Sequence, residues 1–317
     1  MTSRPPSPSA TSTIATVFDR KLHQRRRSRA AAGFDQYSFL KERAAEDIID
    51  RVRDVTRSFG RALDLGAHDG RLARGLKANP SLSARIDEIY ISDLSPAYLS
   101  AQRKAVAADE ELLPFKDNSF DLIVSALSLH WVNDLPGALI QIRRALAPDG
   151  LFAGALFGGA TLTELRQCLL AAEEEIRGGV AQRVSPFADT FDMASLLQRA
   201  GFAMPVSDTD TLVVRYKTPL DLLYDLRGMG ETSAPALRNT PPLTRSILMR
   251  AMALYQERFS DPDGRVRASF EIISASGWAP ASSQPKPKRP GSASARLADA
   301  LGVSEVSTGD KTGPGRR

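Results

Sequence analysis

An acid, two glycines and a histidine crowd one short stretch of this chain, Leu63-Asp64-Leu65-Gly66-Ala67-His68-Asp69-Gly70. Apolar residues lead into it, and Leu72, Ala73 and Leu76 follow at helical spacing, so the expected order is strand, tight turn, helix. Gly66 and Gly70 let such a turn bring backbone close to a nucleotide-like ligand, because glycine has no Cβ and tolerates positive φ. Asp93 closes the next apolar run, Ile89-Tyr90-Ile91-Ser92, with Leu94 beside it. An acid at that point can accept hydrogen bonds from both hydroxyls of a ribose. The same stretch also reads as a helix start, with Asp93 or Ser95 as the cap before Pro96-Ala97-Tyr98-Leu99. Asp109 follows a third strand and is placed to accept from an exocyclic adenine amine, and Glu110 is its neighbour.

These residues are useful only if strand ends hold them together. Strands are expected at about residues 61–65, 88–92, 104–108, 120–126 and 150–157, with helices near 70–78, 96–102 and 135–147. Phe39–Val55 is an amphipathic helix with Leu40, Ala44, Ile48 and Val52 at four-residue spacing. Alternating strands and helices imply an α/β fold, a mostly parallel sheet covered on both faces. Ligands of such sheets bind beyond the carboxyl ends of the strands, where Gly66, Asp93 and Asp109 fall. The segment Pro114-Phe115 to Phe120-Asp121 reads as a turn entering a buried strand. A small helical insertion is expected after residue 160.

Composition narrows the partners. Of the 317 residues 42% are apolar, enough for a sizeable core, and the net charge is +5. That charge comes from the ends: residues 1–33 hold seven Lys/Arg against one Asp, and residues 281–317 hold seven against three acids. The body between them is mildly acidic, which excludes a nucleic-acid-binding face built on the folded domain. The basic stretch Phe18–Arg29 reads as a solvated arm, with contact to a nucleic acid or to an anionic membrane surface as the alternative. No apolar run reaches the length of a membrane span and no signal-peptide core follows the start. The single cysteine, Cys168, lies in a helical pattern beside Leu169 and Leu170 and is expected to be a buried, inert thiol in a reducing compartment. The expected organisation is a disordered start (1–15), a basic arm and helix (16–58), one α/β domain (59–280) and a disordered tail (281–317).

The order glycine turn, Asp93, Asp109, Phe120-Asp121, Pro148-Asp149-Gly150 resembles the class I S-adenosylmethionine-dependent methyltransferases over roughly residues 60–160. The resemblance implies a Rossmann-like fold and S-adenosylmethionine as cofactor. Asp64, Gly66, His68 and Gly70 would then meet its methionine end, Asp93 and Leu94 the ribose, and Asp109 and Glu110 the adenine. His68 departs from the pattern, since it stands where the family has a glycine. His130 follows the fourth strand, where the transferable methyl points in that fold; it is a candidate proton acceptor, or else part of a packed lid with Trp131.

A closer likeness runs over residues 16–279. Phe18-Asp19-Arg20, Ser128-Leu129-His130-Trp131-Val132-Asn133-Asp134-Leu135-Pro136, Phe157-Gly158-Gly159, Ser185-Pro186-Phe187 and Gly228-Met229-Gly230-Glu231 resemble the arginine hydroxylase family of respiratory complex I assembly factors. The same blocks are similar, more loosely, to malonyl-acyl-carrier-protein O-methyltransferase of biotin synthesis. The closer resemblance implies a protein substrate in complex I, and a place in the bacterial cytoplasm at the inner membrane face or on the mitochondrial matrix side. Trp131, Gly158, Gly228 and Glu231 would line the acceptor pocket, with Glu231 and Asp225 as candidates to engage a cationic acceptor. Hydroxylation by non-haem iron usually needs two histidines and a carboxylate. With only His23, His68 and His130 in the chain, the one combination to consider is His68 and His130 with Asp64 or Asp69.

Overall fold

The structure, a computed structural model, describes residues 16–100, 103–187, 190–236, 241–285, 292 and 297–304. It divides into two units, residues 1–281 and 282–317. Seven strands form one sheet in the first unit: β1 Phe59–Leu65, β2 Ile86–Asp93, β3 Ala105–Ala107, β4 Phe120–Ala126, β5 Leu146–Phe157, β6 Ala203–Tyr216 and β7 Val266–Trp278. Their order is β3-β2-β1-β4-β5-β7-β6. Strands β1 to β5 pair in parallel, and β7 runs antiparallel to both β5 and β6. The chain order reverses between β1 and β4, so the ligand crevice of such a sheet opens above their carboxyl ends.

Helices α1 Arg20–Ala30, α2 Phe39–Asp54, α3 Arg71–Ala78, α4 Pro80–Ser83, α5 Leu135–Ala145, α6 Thr163–Arg177, α7 Thr190–Arg199, α8 Pro219–Met229 and α9 Arg245–Phe259 complete the unit. Neighbouring residues of a strand point to opposite faces, and both faces here are buried. Ala62, Leu122 and Val124 join the core under α2, α3, α6 and α9, while Leu63, Leu65 and Ile123 join the one under α5 and α7. Cys168 is fully buried in the first core, and burial pushes its thiol up to about 11.

Four expectations need correction. After residue 160 the chain adds the strands β6 and β7 as well as helices α6 to α9, so this part is not purely helical. The helix expected over 96–102 is a three-residue 3-10 turn, Pro96–Tyr98, and residues 101–102 lie outside those described. Inside the segment expected as a tail, Leu297–Leu301 form a short helix, α10. The basic arm is solvated on one face only: α1 buries His23 and Arg27 while Lys21, Arg25 and Arg29 stay exposed. The start expected as disordered, residues 1–15, lies outside the described residues. Among the described residues no helix is long and apolar enough to cross a membrane.

Candidate active site

The glycine turn is built as its residues require. Gly66 has φ +68°, and a Cβ placed on it would lie 2.1 Å from Ser128 Oγ. Neither the conformation nor the space admits a side chain. Gly70, at φ +76°, starts α3. The Ala67 amide donates to the Ser92 carbonyl at 2.9 Å, which ties the turn to the end of β2. His68 also has positive φ, +52°, and its amide donates to Asp93 Oδ2 at 2.8 Å. Its ring is buried and stacks on Phe34 at 5.0 Å between centroids. Asp64 is fully buried; Oδ2 accepts from the Ala73 amide in the first turn of α3, and Oδ1 has no partner. Burial lifts the Asp64 carboxyl to about 6 against the pull of Lys41, and burial with Arg27 brings Lys41 down to about 8. Lys41, from α2, donates to the Gly66 carbonyl at 2.8 Å and the Ala126 carbonyl at 2.9 Å.

Helix α1 lies directly over this crevice. Asp19 caps it, accepting from the Leu22 amide at 2.9 Å. The residues before it are pinned: the Val17 and Phe18 amides donate to Asn133 Oδ1 at 2.7 and 2.8 Å, and the Asp19 amide to the Ala234 carbonyl at 2.9 Å. Arg20, Gln24, Arg27 and Ser28 then recur at helical spacing on one face. Arg27 forms an ion pair with Asp93, and both side chains are at most 1% exposed. Arg20 bonds Asp109 at 2.6 Å and also pairs with Glu110. Gln24 donates to the Leu94 carbonyl at 2.8 Å, and Ser28 and Ser95 share a hydroxyl bond of 2.7 Å. Burial depresses both guanidiniums, but Asp93 and Glu110 for Arg27, and Glu110 and Asp109 for Arg20, outweigh it and raise them.

His68 sits between two cations. Arg27 Nη1 is 2.8 Å from Nε2, and Lys41 Nζ meets Nδ1. Burial above all, then Arg27 and Lys41, hold its imidazole well below the usual histidine range. A neutral imidazole offers one lone pair, and with a cationic donor facing each nitrogen that lone pair is covered whichever nitrogen carries it. His130 is engaged elsewhere, so the proposed pairing of His68 and His130 with Asp64 or Asp69 around iron is overturned. Among the described residues no group of three or more His, Cys, Asp or Glu could hold a metal.

The second centre is Glu231. Helix α8 ends at Gly230, whose left-handed conformation (φ +82°) lets the Glu231 amide bond back to the Leu226 carbonyl at 2.9 Å. That turn aims the carboxylate at the short 3-10 segment Leu129–Trp131. His130 Nε2 and Trp131 Nε1 both donate to Glu231 Oε2, at 3.0 and 2.7 Å. His130 Nδ1 is buried without a partner, and the ring packs on Phe157 at 4.8 Å. Among the described residues Oε1 takes no hydrogen bond. Glu231 borders two spaces: a small one of about 20 Å³ beside His68, Lys41 and Met229, and a large cavity of about 740 Å³. The large cavity is mostly apolar (Leu165, Leu169, Phe187, Leu226), with Arg25, Arg26, Arg183 and Arg227 among its charged lining.

Ser185 and Phe187 line this cavity with Glu231, but Trp131, Gly158, Gly228 and Asp225 do not. Both glycines are packing residues: a Cβ on Gly158 would meet Glu271 at 2.3 Å, and one on Gly228 the Tyr37 ring at 2.3 Å. Trp131 stands behind Glu231, stacked with His23 at 4.2 Å.

A family model described as a methyltransferase domain matches residues 63–154. The mitochondrial arginine-hydroxylase NDUFAF5 of Danio rerio is 41% identical over 291 residues, covering 89% of each chain. This chain belongs to that arginine-hydroxylase family. A more distant relative, the malonyl-[acyl-carrier protein] O-methyltransferase of Halorhodospira halophila, is 34% identical over 273 residues, covering 83% of this chain and 89% of its own. Among solved structures, the YcgJ protein of Bacillus subtilis superposes with a TM-score of 0.50 at 17% identity, over 74% of this chain and 99% of that one, a likeness of fold.

The donor set suits the cofactor of the methyltransferase fold. Asp93, Asp109 and Glu110 gather at the strand ends, and Asp64 Oδ1, Ser92 Oγ and Tyr98 Oη lie buried there with no partner. With α1 in place, the space beside His68, about 20 Å³, is far too small for a nucleoside, which would need the room that Arg20 and Arg27 fill. The sequence reading missed Arg20, Gln24, Arg27, Ser28 and Lys41. The signal for the first four was Asp19 as a cap ahead of polar residues spaced four and seven apart. The signal for Lys41 was a lone cation next to Leu40 in the apolar stripe of α2.

Proposed function

We propose that the protein is an S-adenosylmethionine-binding enzyme that modifies an arginine of a protein substrate during assembly of respiratory complex I. One observation carries this reading: a half-buried carboxylate, Glu231, borders both the small space beside His68 and the large cavity. His130 and Trp131 fix its Oε2, which leaves Oε1 to receive a guanidinium entering through the cavity. On the other side Asp93 would hold the ribose, Asp109 and Glu110 the adenine, and Asp64 with the Gly66 turn the methionine end. The bound cofactor supplies an electrophilic methyl group on a sulfonium. His130, hydrogen-bonded to Glu231 and sealed by Phe157, contributes orientation and exclusion of water. The hydroxylase relatives are named as mitochondrial, and we propose the matrix side for this protein in a mitochondrion, or the cytoplasmic face of the inner membrane in a bacterium.

Mass spectrometry of the host's complex I subunits, with and without the gene, is the test. Loss of one oxygen from an arginine peptide supports hydroxylation; loss of one methylene supports methyl transfer. No change in mass, with assembly still failing, removes the enzymatic reading and leaves an assembly chaperone. Glu231→Gln should abolish the modification while leaving S-adenosylhomocysteine binding intact.

The cavity also favours a second reading. Arg25 and Arg227 line it and make no ion pair among the described residues, a setting that suits a carboxylate such as that of malonyl-acyl carrier protein. Complementation of a biotin auxotroph separates this from the first reading.

A further inference from the structure

The nucleoside-binding residues have each been claimed by one helix. Asp93 is taken by Arg27, Leu94 by Gln24, Ser95 by Ser28, and Asp109 with Glu110 by Arg20. Asp93 is largely taken: Oδ2 accepts from both the His68 amide and Arg27, and Oδ1 accepts from the Ser95 amide. Glu110 is likewise used, Oε1 by Ser128 and Oε2 by Arg20. We infer that α1 is an internal competitor for the cofactor site, whose two guanidiniums hold the carboxylates that a bound nucleoside would need. This rests on the cofactor reading above and adds a regulatory element to it.

The hold of α1 is strong but internally strained. Arg27 Nη1 and Lys41 Nζ both approach the neutral His68 ring, which can accept a hydrogen bond at only one nitrogen. Arg20 Nε and Arg27 Nε are buried with no hydrogen-bond partner, although Glu111 Oε1 lies 3.8 Å from Arg20 Nε. Those unmet donors lower the cost of exchanging the helix for a ligand. The opposite face of α1 supplies Leu22, Arg25 and Arg26 to the large cavity. Helix α1 is thus the wall shared by both sites, and its departure for the cofactor would also reshape the acceptor side. Cofactor and acceptor would bind in a coupled order, with the coupling carried by one helix that has two positions.

A reversible lock tests this on the full-length protein. Ser28 and Ser95 touch through their hydroxyls, and the only native thiol, Cys168, is buried. The double variant Ser28→Cys, Ser95→Cys should therefore form a disulfide that fastens α1 over the crevice. Titration calorimetry with S-adenosylhomocysteine should show at least tenfold weaker binding when oxidised, restored on reduction. In wild type, saturating S-adenosylhomocysteine should speed amide hydrogen exchange across residues 20–30. Equal affinity in both redox states, or exchange that slows on binding, would overturn the competition and make α1 a lid that closes on the ligand. No binding by the reduced variant or wild type would instead sink the cofactor reading itself.

Discussion

The Arg27–Asp93 pair makes a quantitative prediction possible, because neither partner can reach water. In Asp93→Asn the guanidinium stays buried and loses its counter-charge. Removing one partner of a buried ion pair costs about 3–5 kcal/mol. Two local effects adjust that figure. Glu110 remains near enough to raise Arg27, which favours the lower end. Against it, Asp93 accepts amide bonds from Ser95 and His68, both at 2.8 Å, and asparagine can keep only one of them. Losing the other adds about 1 kcal/mol, so the expected destabilisation is about 4 kcal/mol. Adding Arg27→Met removes the orphaned cation and should return about 2 kcal/mol of it, as strongly coupled neighbours do. Urea unfolding followed by circular dichroism, on wild type, both single variants and the double, measures each term. A loss below about 1 kcal/mol in Asp93→Asn, or simple additivity in the cycle, would refute the buried pair.

Three other outcomes are expected. Gly66→Ala should be destabilised by about 2–5 kcal/mol, since it combines a left-handed backbone with a clash at Ser128; a urea midpoint within error of wild type would contradict that geometry. His68→Gly restores the residue typical of the turn and removes a ring from the methionine end, so calorimetric affinity for S-adenosylhomocysteine should rise several-fold; a fall would make the ring a ligand contact. Between pH 8 and about 9.5 the unfolded chain keeps the Lys41 proton while the folded chain, with Lys41 near 8, gives it up. Folded stability should therefore climb with pH across that window in wild type relative to Lys41→Gln, and parallel urea midpoints for the two would refute it.

Much of the frame was legible because parallel strands buried on both faces announce themselves as apolar runs. Strands β1, β2 and β4 and helices α2, α3 and α5 fell close to where their patterns put them. Strands β6 and β7 did not. β6 mixes Val and Thr with Asp and Ser along an edge and has an apolar run of only Leu212, Val213 and Val214, and its partner β7 lies fifty residues further on. The candidate site was half legible for a related reason. Residues fixed to strand ends, such as Asp64, Gly66, Asp93 and Asp109, have a spacing set by the fold. Arg20 and Arg27 reach the same place from a distant segment, and nothing in a basic stretch distinguishes cations turned inward from cations in water. Glu231 was found through a family block, and its partnership with His130 and Trp131 became visible only once Gly230 was seen to turn the chain.

The anchoring of Val17, Phe18 and Asp19 to Asn133 and Ala234 has a practical corollary for anyone handling the polypeptide. An amino-terminal extension, cleavage scar or affinity tag ending just ahead of Val17 would hang beside the root of α1. The same attachment made at the carboxyl end adds nothing ahead of Val17. Two preparations differing only in which end carries the tag could then disagree about ligand binding while sharing one melting curve, and the disagreement would map onto three residues.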